Sequence, residues 1–162
     1  MDVIYLDYDG VLHPSDVYAY PDVPIIRLEA PGHELFENVA VLELILAPFP
    51  HVVVVLSTTW CLHHGVPFAM EQLTPAIRTR VIGTTFDSDN PHLWRMPKMS
   101  RWDQISCDVE RRKPRRWLAL DDDGFAWPER ERDKLVLTPA DLGLQCVKAQ
   151  NELKTRMAAI FA

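Results

Sequence analysis

Long apolar runs are missing from this sequence. The longest, such as Val52 to Leu56, fall far short of the roughly 18 residues that a membrane-spanning helix needs, so no span and no membrane partner are expected. Cysteine is scarce as well. Cys61, Cys107 and Cys146 are odd in number and widely spaced, which argues against a disulfide framework and against a Cys-x-x-Cys zinc or redox site. The opening residues Met1-Asp2-Val3-Ile4-Tyr5-Leu6-Asp7 carry no basic stretch and meet carboxylates at once, unlike a secretory signal. A reduced, cytoplasmic protein is the expectation. Internal repeats, low-complexity tracts and a linker to a second domain are also lacking. The 162 residues suffice for one domain, 1–162, that buries about 68–70% of its unfolded surface.

Positive charge is nearly absent from the first half. Residues 1–77 hold ten acids and one base, Arg27, whereas residues 78–162 hold thirteen acids and sixteen bases. Five of those bases crowd into Arg111-Arg112-Lys113-Pro114-Arg115-Arg116. Such a cluster can contact nucleic-acid phosphates or form a solvated turn between a helix and a strand. On a chain of net charge -6 one cluster is a weak footprint, which favours the turn. With 48% hydrophobic and 25% charged residues, the composition is that of a folded globular protein.

Val3 to Leu6, Val52 to Leu56 and Trp117 to Leu120 are short apolar runs without alternation, the pattern of strands buried on both faces of a parallel sheet. Lys134 to Leu137 reads as a fourth strand and Arg80 to Ile82 as a weaker fifth. Leu35, Val39, Leu42, Ile45 and Leu46 recur at helical spacing and stop at Pro48 and Pro50. A second helix is expected from Ser100, as N-cap, to about Glu110, and a last one from about Ala149 to Phe161. Leu153, Met157 and Ile160 give that last helix a face whose default use is core packing. Strands alternating with helices imply an α/β fold: a three-layer Rossmannoid parallel sheet flanked by helices. Pro14, Pro21, Pro24 and Pro31 mark an ordered loop or small flap after the first strand, able to serve as a lid.

Three of the apolar runs end in a particular set of polar residues: Asp7-Tyr8-Asp9-Gly10, Ser57-Thr58-Thr59-Trp60 and Asp121-Asp122-Asp123. In a parallel sheet these ends emerge along one edge, where open α/β folds place their sites. Four or more carboxylates sharing a crevice need a cation, because like charges raise one another's pKa. Oxygen-only donors without His or Cys favour Mg²⁺.

The arrangement resembles the haloacid dehalogenase-like (HAD) superfamily of aspartate-nucleophile phosphatases. More narrowly, Val55-Leu56-Ser57-Thr58-Thr59-Trp60, Arg80-Val81-Ile82-Gly83-Thr84-Thr85 and Ala119-Leu120-Asp121-Asp122-Asp123 look like the small HAD domain associated with bacterial Swiss army knife RNA repair proteins. The resemblance implies that Asp7 attacks phosphorus to form an aspartyl-phosphate, and that Asp9 protonates the leaving oxygen and then deprotonates water. It implies that Ser57, helped by the Thr58 N–H, binds a phosphoryl oxygen, and that Gly10 turns the chain beside the phosphate. Mg²⁺ would be held by Asp7, the backbone carbonyl of Asp9, Asp121 and, through water or by orienting the base, Asp122. The phosphate-stabilising base is Arg101 or Lys98, with Arg101 the better match to the narrower pattern. Asp123 reads as a spare, a capping or surface residue.

Competing readings explain fewer of these residues. Neither Asp7 nor Asp121 starts an EF-hand loop with Glu at its twelfth position, and a response-regulator receiver puts its paired acids first rather than last. Cys61-x-His63-His64 lacks a second cluster to complete four ligands. His13 could touch substrate, and Trp60 could stack on a base, although core packing is the favoured reading of an aromatic there. Neither Leu12 to His51 nor Trp60 to Lys98 leaves room for a large cap domain, so the site should be open. An open site suits a phosphorylated macromolecule, an RNA or DNA end first. The alternatives are a small phosphomonoester, transfer to an acceptor other than water, or a non-catalytic phosphate-binding module docked within an RNA-repair system.

Overall fold

The computed structural model describes residues 1–20 and 25–162. In chain order its elements are β1 (Asp2–Leu6), β2 (Val17–Ala19), β3 (Ile26–Leu28), α1 (Val39–Leu46), β4 (Val52–Leu56), α2 (Trp60–His63), α3 (Val66–Glu71), α4 (Pro75–Arg78), β5 (Val81–Thr84), α5 (Arg101–Arg112), β6 (Arg116–Asp121), β7 (Leu135–Leu137) and α6 (Val147–Phe161). Five strands form one sheet in the order β5-β4-β1-β6-β7, and every pairing in it is parallel. β2 and β3 make a separate antiparallel hairpin. No described helix is long and apolar enough to cross a membrane. The fold is the expected α/β Rossmannoid with helices on both faces and, among the described residues, no large cap domain.

The two-residue period of a strand sends alternate side chains to opposite faces, and the central strands use both. Ile4, Leu6, Val54, Leu56, Leu118 and Leu120 join Leu42 of α1 and Leu153, Met157 and Phe161 of α6 in one apolar cluster. Val3, Tyr5, Val55, Trp117 and Ala119 face the other way, against Ile105 of α5. This two-sided burial explains why the strands read as unbroken apolar runs. The last helix packs on the chain's own core, as its spacing suggested.

Local chemistry sets the element ends. The Ser100 hydroxyl accepts from the Asp103 N–H at 3.1 Å and so caps α5 as expected. That helix closes at Lys113, whose φ of 50° is left-handed, just before Pro114. The helix expected from Leu35 starts only at Val39, because Phe36 takes a φ of 61° and turns the chain first. The proline-rich stretch contains the β2–β3 hairpin, which is the flap reading; Pro21 and Pro24 lie outside the described residues. Three short helices, α2 to α4, fill the span after β4 that carried no clear period.

The basic cluster does form the turn between α5 and β6, but four of its five bases are paired rather than freely solvated. Arg111 and Arg112 bind Asp87 and Asp108, with Arg111 reaching Asp89 as well. Arg115 and Arg116 donate to Asp2 at 2.8 and 2.6 Å, which ties the start of β1 to its neighbour β6.

Hydrogen bonds from Arg115 and then Arg116 hold the buried Asp2 carboxyl well below the usual carboxylate range. A carboxyl with a depressed folded-state pKa contributes stability above its unfolded pKa, near 4, and loses that contribution as pH falls through the folded value. Denaturant unfolding between pH 7 and pH 2 should therefore show a shallower acid decline for Asp2→Asn than for the parent, and identical slopes would contradict the pairing.

Candidate active site

The parallel register carries on past the strand ends. Asp7 N–H donates to the Leu120 carbonyl (3.1 Å), Ser57 N–H to Leu6 (2.8 Å) and Thr85 N–H to Leu56 (2.9 Å). By the same alternation that sends Tyr5, Val55 and Ala119 to the α5 face, Asp7, Ser57 and Asp121 lie in one row on that face. All stand at the carboxyl ends of their strands, on either side of central β1, where such sheets hold ligands.

Arg101, the first residue of α5, meets this row. Its Nη2 is 3.3 Å from Asp7 Oδ2 and its Nε is 3.0 Å from Asp121 Oδ2, although the Nε–H points off the line to that oxygen. Nη1 donates to Gln104 Oε1 at 3.0 Å. The Gln104 amide is in turn anchored on the Met96 carbonyl at 2.8 Å, so the guanidinium is held from behind. Lys98, the other candidate base, is exposed on the turn Met96–Lys98 and makes no ion pair among the described residues.

Asp7, Asp121 and Asp122 each bring a carboxylate oxygen within 4.8 Å of the others. Burial, only partly offset by Arg101, pushes the Asp7 carboxyl up. Burial and then Asp7 push Asp121 well above its ordinary value and Asp122 to about 6. Burial works against the Arg101 charge, yet Asp7 and Asp121 outweigh it and keep the guanidinium cationic. The site is thus short of positive charge even with Arg101 in place. Three oxygen donors, one of them an Asp121 oxygen without a well-directed hydrogen bond, fit a hard divalent cation such as Mg²⁺. Among the described residues no group containing His or Cys could hold a metal in this way, so Cys61, His63 and His64 do not form a site of that kind.

Asp9 stands apart from the trio because two donors hold it. Its Oδ1 accepts from Trp60 Nε1 at 2.9 Å and contacts His13 Nε2 at 2.9 Å. His13 Nδ1 accepts the Phe36 N–H at 3.1 Å, so the ring proton sits on Nε2 and that nitrogen donates to Asp9. His13 is completely buried, which removes it as a substrate contact. Trp60 is also buried, edge-on to Tyr8 and Phe36 and parallel to Phe68. Its face is committed to packing, and its indole N–H is what it lends to the site.

The remaining residues take positions that match their chemistry. Ser57 is fully buried, yet its Oγ has no hydrogen-bond partner, an expensive state for a hydroxyl unless something else binds it. Thr58 is fully buried, and its hydroxyl oxygen accepts the Trp60 N–H at 3.4 Å. Gly10 has φ 70°, a conformation that favours glycine, and a Cβ there would run into the Asp122 carboxylate. Asp123 caps a turn: its N–H donates to Asp121 at 3.0 Å and its carboxylate accepts the Phe125 N–H at 2.8 Å.

Two features escaped the sequence reading. Thr85 is buried with an unpaired hydroxyl at the register position next to Ser57; the Arg80–Thr85 motif that it closes carried part of the resemblance but gave it no role. The His13 contact to Asp9 had a faint one in the four-residue spacing.

A model of the family described as HAD domain in Swiss Army Knife RNA repair proteins matches residues 3–149. No curated protein matches the chain, and no solved structure does.

The crowding at Gly10 yields a direct test. Gly10→Ala should lower unfolding stability by about 1–2 kcal/mol from the left-handed backbone alone, and the displaced Asp122 should weaken Mg²⁺ binding measured by calorimetry. Unchanged stability and unchanged binding would show that the turn tolerates a side chain.

Proposed function

The chain belongs to the family of HAD domains in Swiss Army Knife RNA repair proteins, and from that premise we propose that it is a Mg²⁺-dependent phosphohydrolase acting on the phosphate of an RNA or DNA end. Asp7 is the nucleophile. Its carboxylate oxygen forms a bond to phosphorus while the bond from phosphorus to the leaving oxygen breaks, giving an aspartyl-phosphate. Asp9 supplies the proton that the leaving oxygen needs. In the second half Asp9 takes a proton from the water that attacks phosphorus, and Asp7 departs as the free carboxylate.

The neighbouring residues serve these two steps. Ser57 donates its hydroxyl to a phosphoryl oxygen, and this assignment carries the proposal: a buried, unpartnered hydroxyl one strand away from Asp7 is what a phosphate site needs before its ligand arrives. The Thr58 N–H, next in the chain to Ser57, helps bind the same phosphoryl oxygen. Arg101 places positive charge between Asp7 and Asp121, where negative charge builds in the transferring group. Asp7, Asp121 and Asp122 would hold Mg²⁺, which would supply further neutralisation of that charge. The family description supports a nucleic-acid substrate, as does the absence of a cap domain over the strand ends.

The experiment is phosphate release from oligonucleotides phosphorylated at the 3′ or the 5′ end, against sugar phosphates, with and without Mg²⁺. Release should require the metal, favour the oligonucleotides, and fall at least about a thousand-fold in Asp7→Asn. Faster turnover of the sugars would sink the nucleic-acid substrate, and full activity in Asp7→Asn would sink the mechanism.

A further inference from the structure

A cleft of about 390 Å³ opens beside the reacting groups, between the β2–β3 hairpin and the segment Thr59–His64. One wall is apolar. Ala19 and Ile26 are a cross-strand pair, and Val17, two residues before Ala19, shares their face; all three line the cleft. The outward face of the hairpin carries the other pair, Tyr18 and Arg27. Across the cleft stand His63 and His64, with the edge of Trp60 behind them. Asp9 completes the lining, so the cleft opens on the one carboxylate that the proposed reaction uses for the leaving oxygen.

The charge of the lining narrows what can enter. Among the described residues no Lys or Arg lines the cleft, and Asp9 is the one acid that does. Burial, and then the neighbouring His63, push the His64 pKa down, favouring a neutral ring. The described lining offers a second phosphate no counter-charge. A flat uncharged ring would find aliphatic side chains on one side, imidazoles on the other, and ring nitrogens for hydrogen bonds at its rim. The volume falls at the lower end of the range for small-ligand pockets, roughly 300–1,000 Å³, enough for one nucleoside and too little for a run of them.

We infer that this cleft seats the terminal nucleoside of the leaving alcohol, its base between the apolar face of the hairpin and the His63–His64 pair. The inference rests on the phosphohydrolase reading, since that reading assigns Asp9 to the leaving oxygen. It goes further by placing recognition in the last nucleoside and leaving the next phosphodiester outside the cleft.

The test uses the full chain and two readouts. In the first, kcat/KM is measured for adenosine 3′- and 5′-monophosphates and for ribose 5-phosphate, which lacks the base, in the parent and in Ala19→Trp. Ala19 is exposed, so the larger ring should fill the cleft without disturbing the core. The better nucleotide should exceed ribose 5-phosphate by about ten-fold in the parent, the worth of one stacked base, and the ratio should fall to about one in Ala19→Trp. Equal rates in the parent, or an unchanged ratio in the variant, would overturn the seat. The second readout is calorimetric binding of free adenosine. Binding by the parent and not by Ala19→Trp, with no ester hydrolysed by either, would uphold the nucleoside seat and remove the phosphohydrolase reading beneath it. Hydrolysis of the esters with no adenosine binding and no base preference would do the reverse.

Discussion

Two buried carboxylates share one guanidinium at the centre of this molecule, and most of its other features can be ordered around that fact. Asp7 and Asp121 end adjacent parallel strands, so the sheet itself brings them side by side away from water. Like charges so placed raise one another's pKa and would rather be neutral. Arg101 answers them from α5 with contacts of 3.3 and 3.0 Å. Its own position is set by the Ser100 cap, by the Gln104 brace and by Ile105 packing against the sheet. One cation among Asp7, Asp121 and Asp122 still leaves a deficit, and the deficit is what makes a divalent ion chemically suited to the place.

A second arrangement keeps Asp9 out of that cluster. Two carboxylates two residues apart could both turn toward the same cation, yet His13 and Trp60 each direct an N–H at the same Asp9 oxygen. The donors are buried and packed among Tyr8 and Phe36, so the carboxylate is held by groups with little freedom to move. One oxygen is thereby occupied, and the other is left free for the proton transfers proposed for Asp9. The division of labour proposed for Asp7 and Asp9 follows from their neighbours: one meets a guanidinium, the other an imidazole and an indole. The hairpin that follows continues the same logic, because Val17, Ala19 and Ile26 wall the cleft next to Asp9.

How much of this could be read from the sequence follows from which signals are local. Apolar runs ending in Asp7, Ser57 and Asp121 report strands buried on both faces, and a parallel sheet brings their ends to one edge, so the site's location was legible. Ser100 as a helix cap was legible too, since capping depends on a few neighbouring residues. The choice between Lys98 and Arg101 was not settled by spacing alone: three residues apart, they fall on opposite sides of the helix start, one on an exposed turn and one facing the carboxylates. The pairing of the basic cluster with Asp2, Asp87 and Asp108 was hidden because those acids are distant in sequence. Trp60 was ambiguous for a related reason, as its ring serves the core and its N–H serves the site. Thr85 joins the row through sheet register, which single-strand patterns do not encode.

The central claim is that Asp7 carries the phosphoryl group. Borohydride reduces an acyl phosphate to the alcohol, so quenching the reaction with it during turnover of a 3′- or 5′-phosphorylated oligonucleotide and sequencing the peptide by mass spectrometry reads the intermediate directly. The account predicts homoserine at position 7, dependent on both Mg²⁺ and substrate, and absent in Asp7→Asn. Sustained phosphate release with Asp7 unmodified, or with the label on another residue, would contradict it.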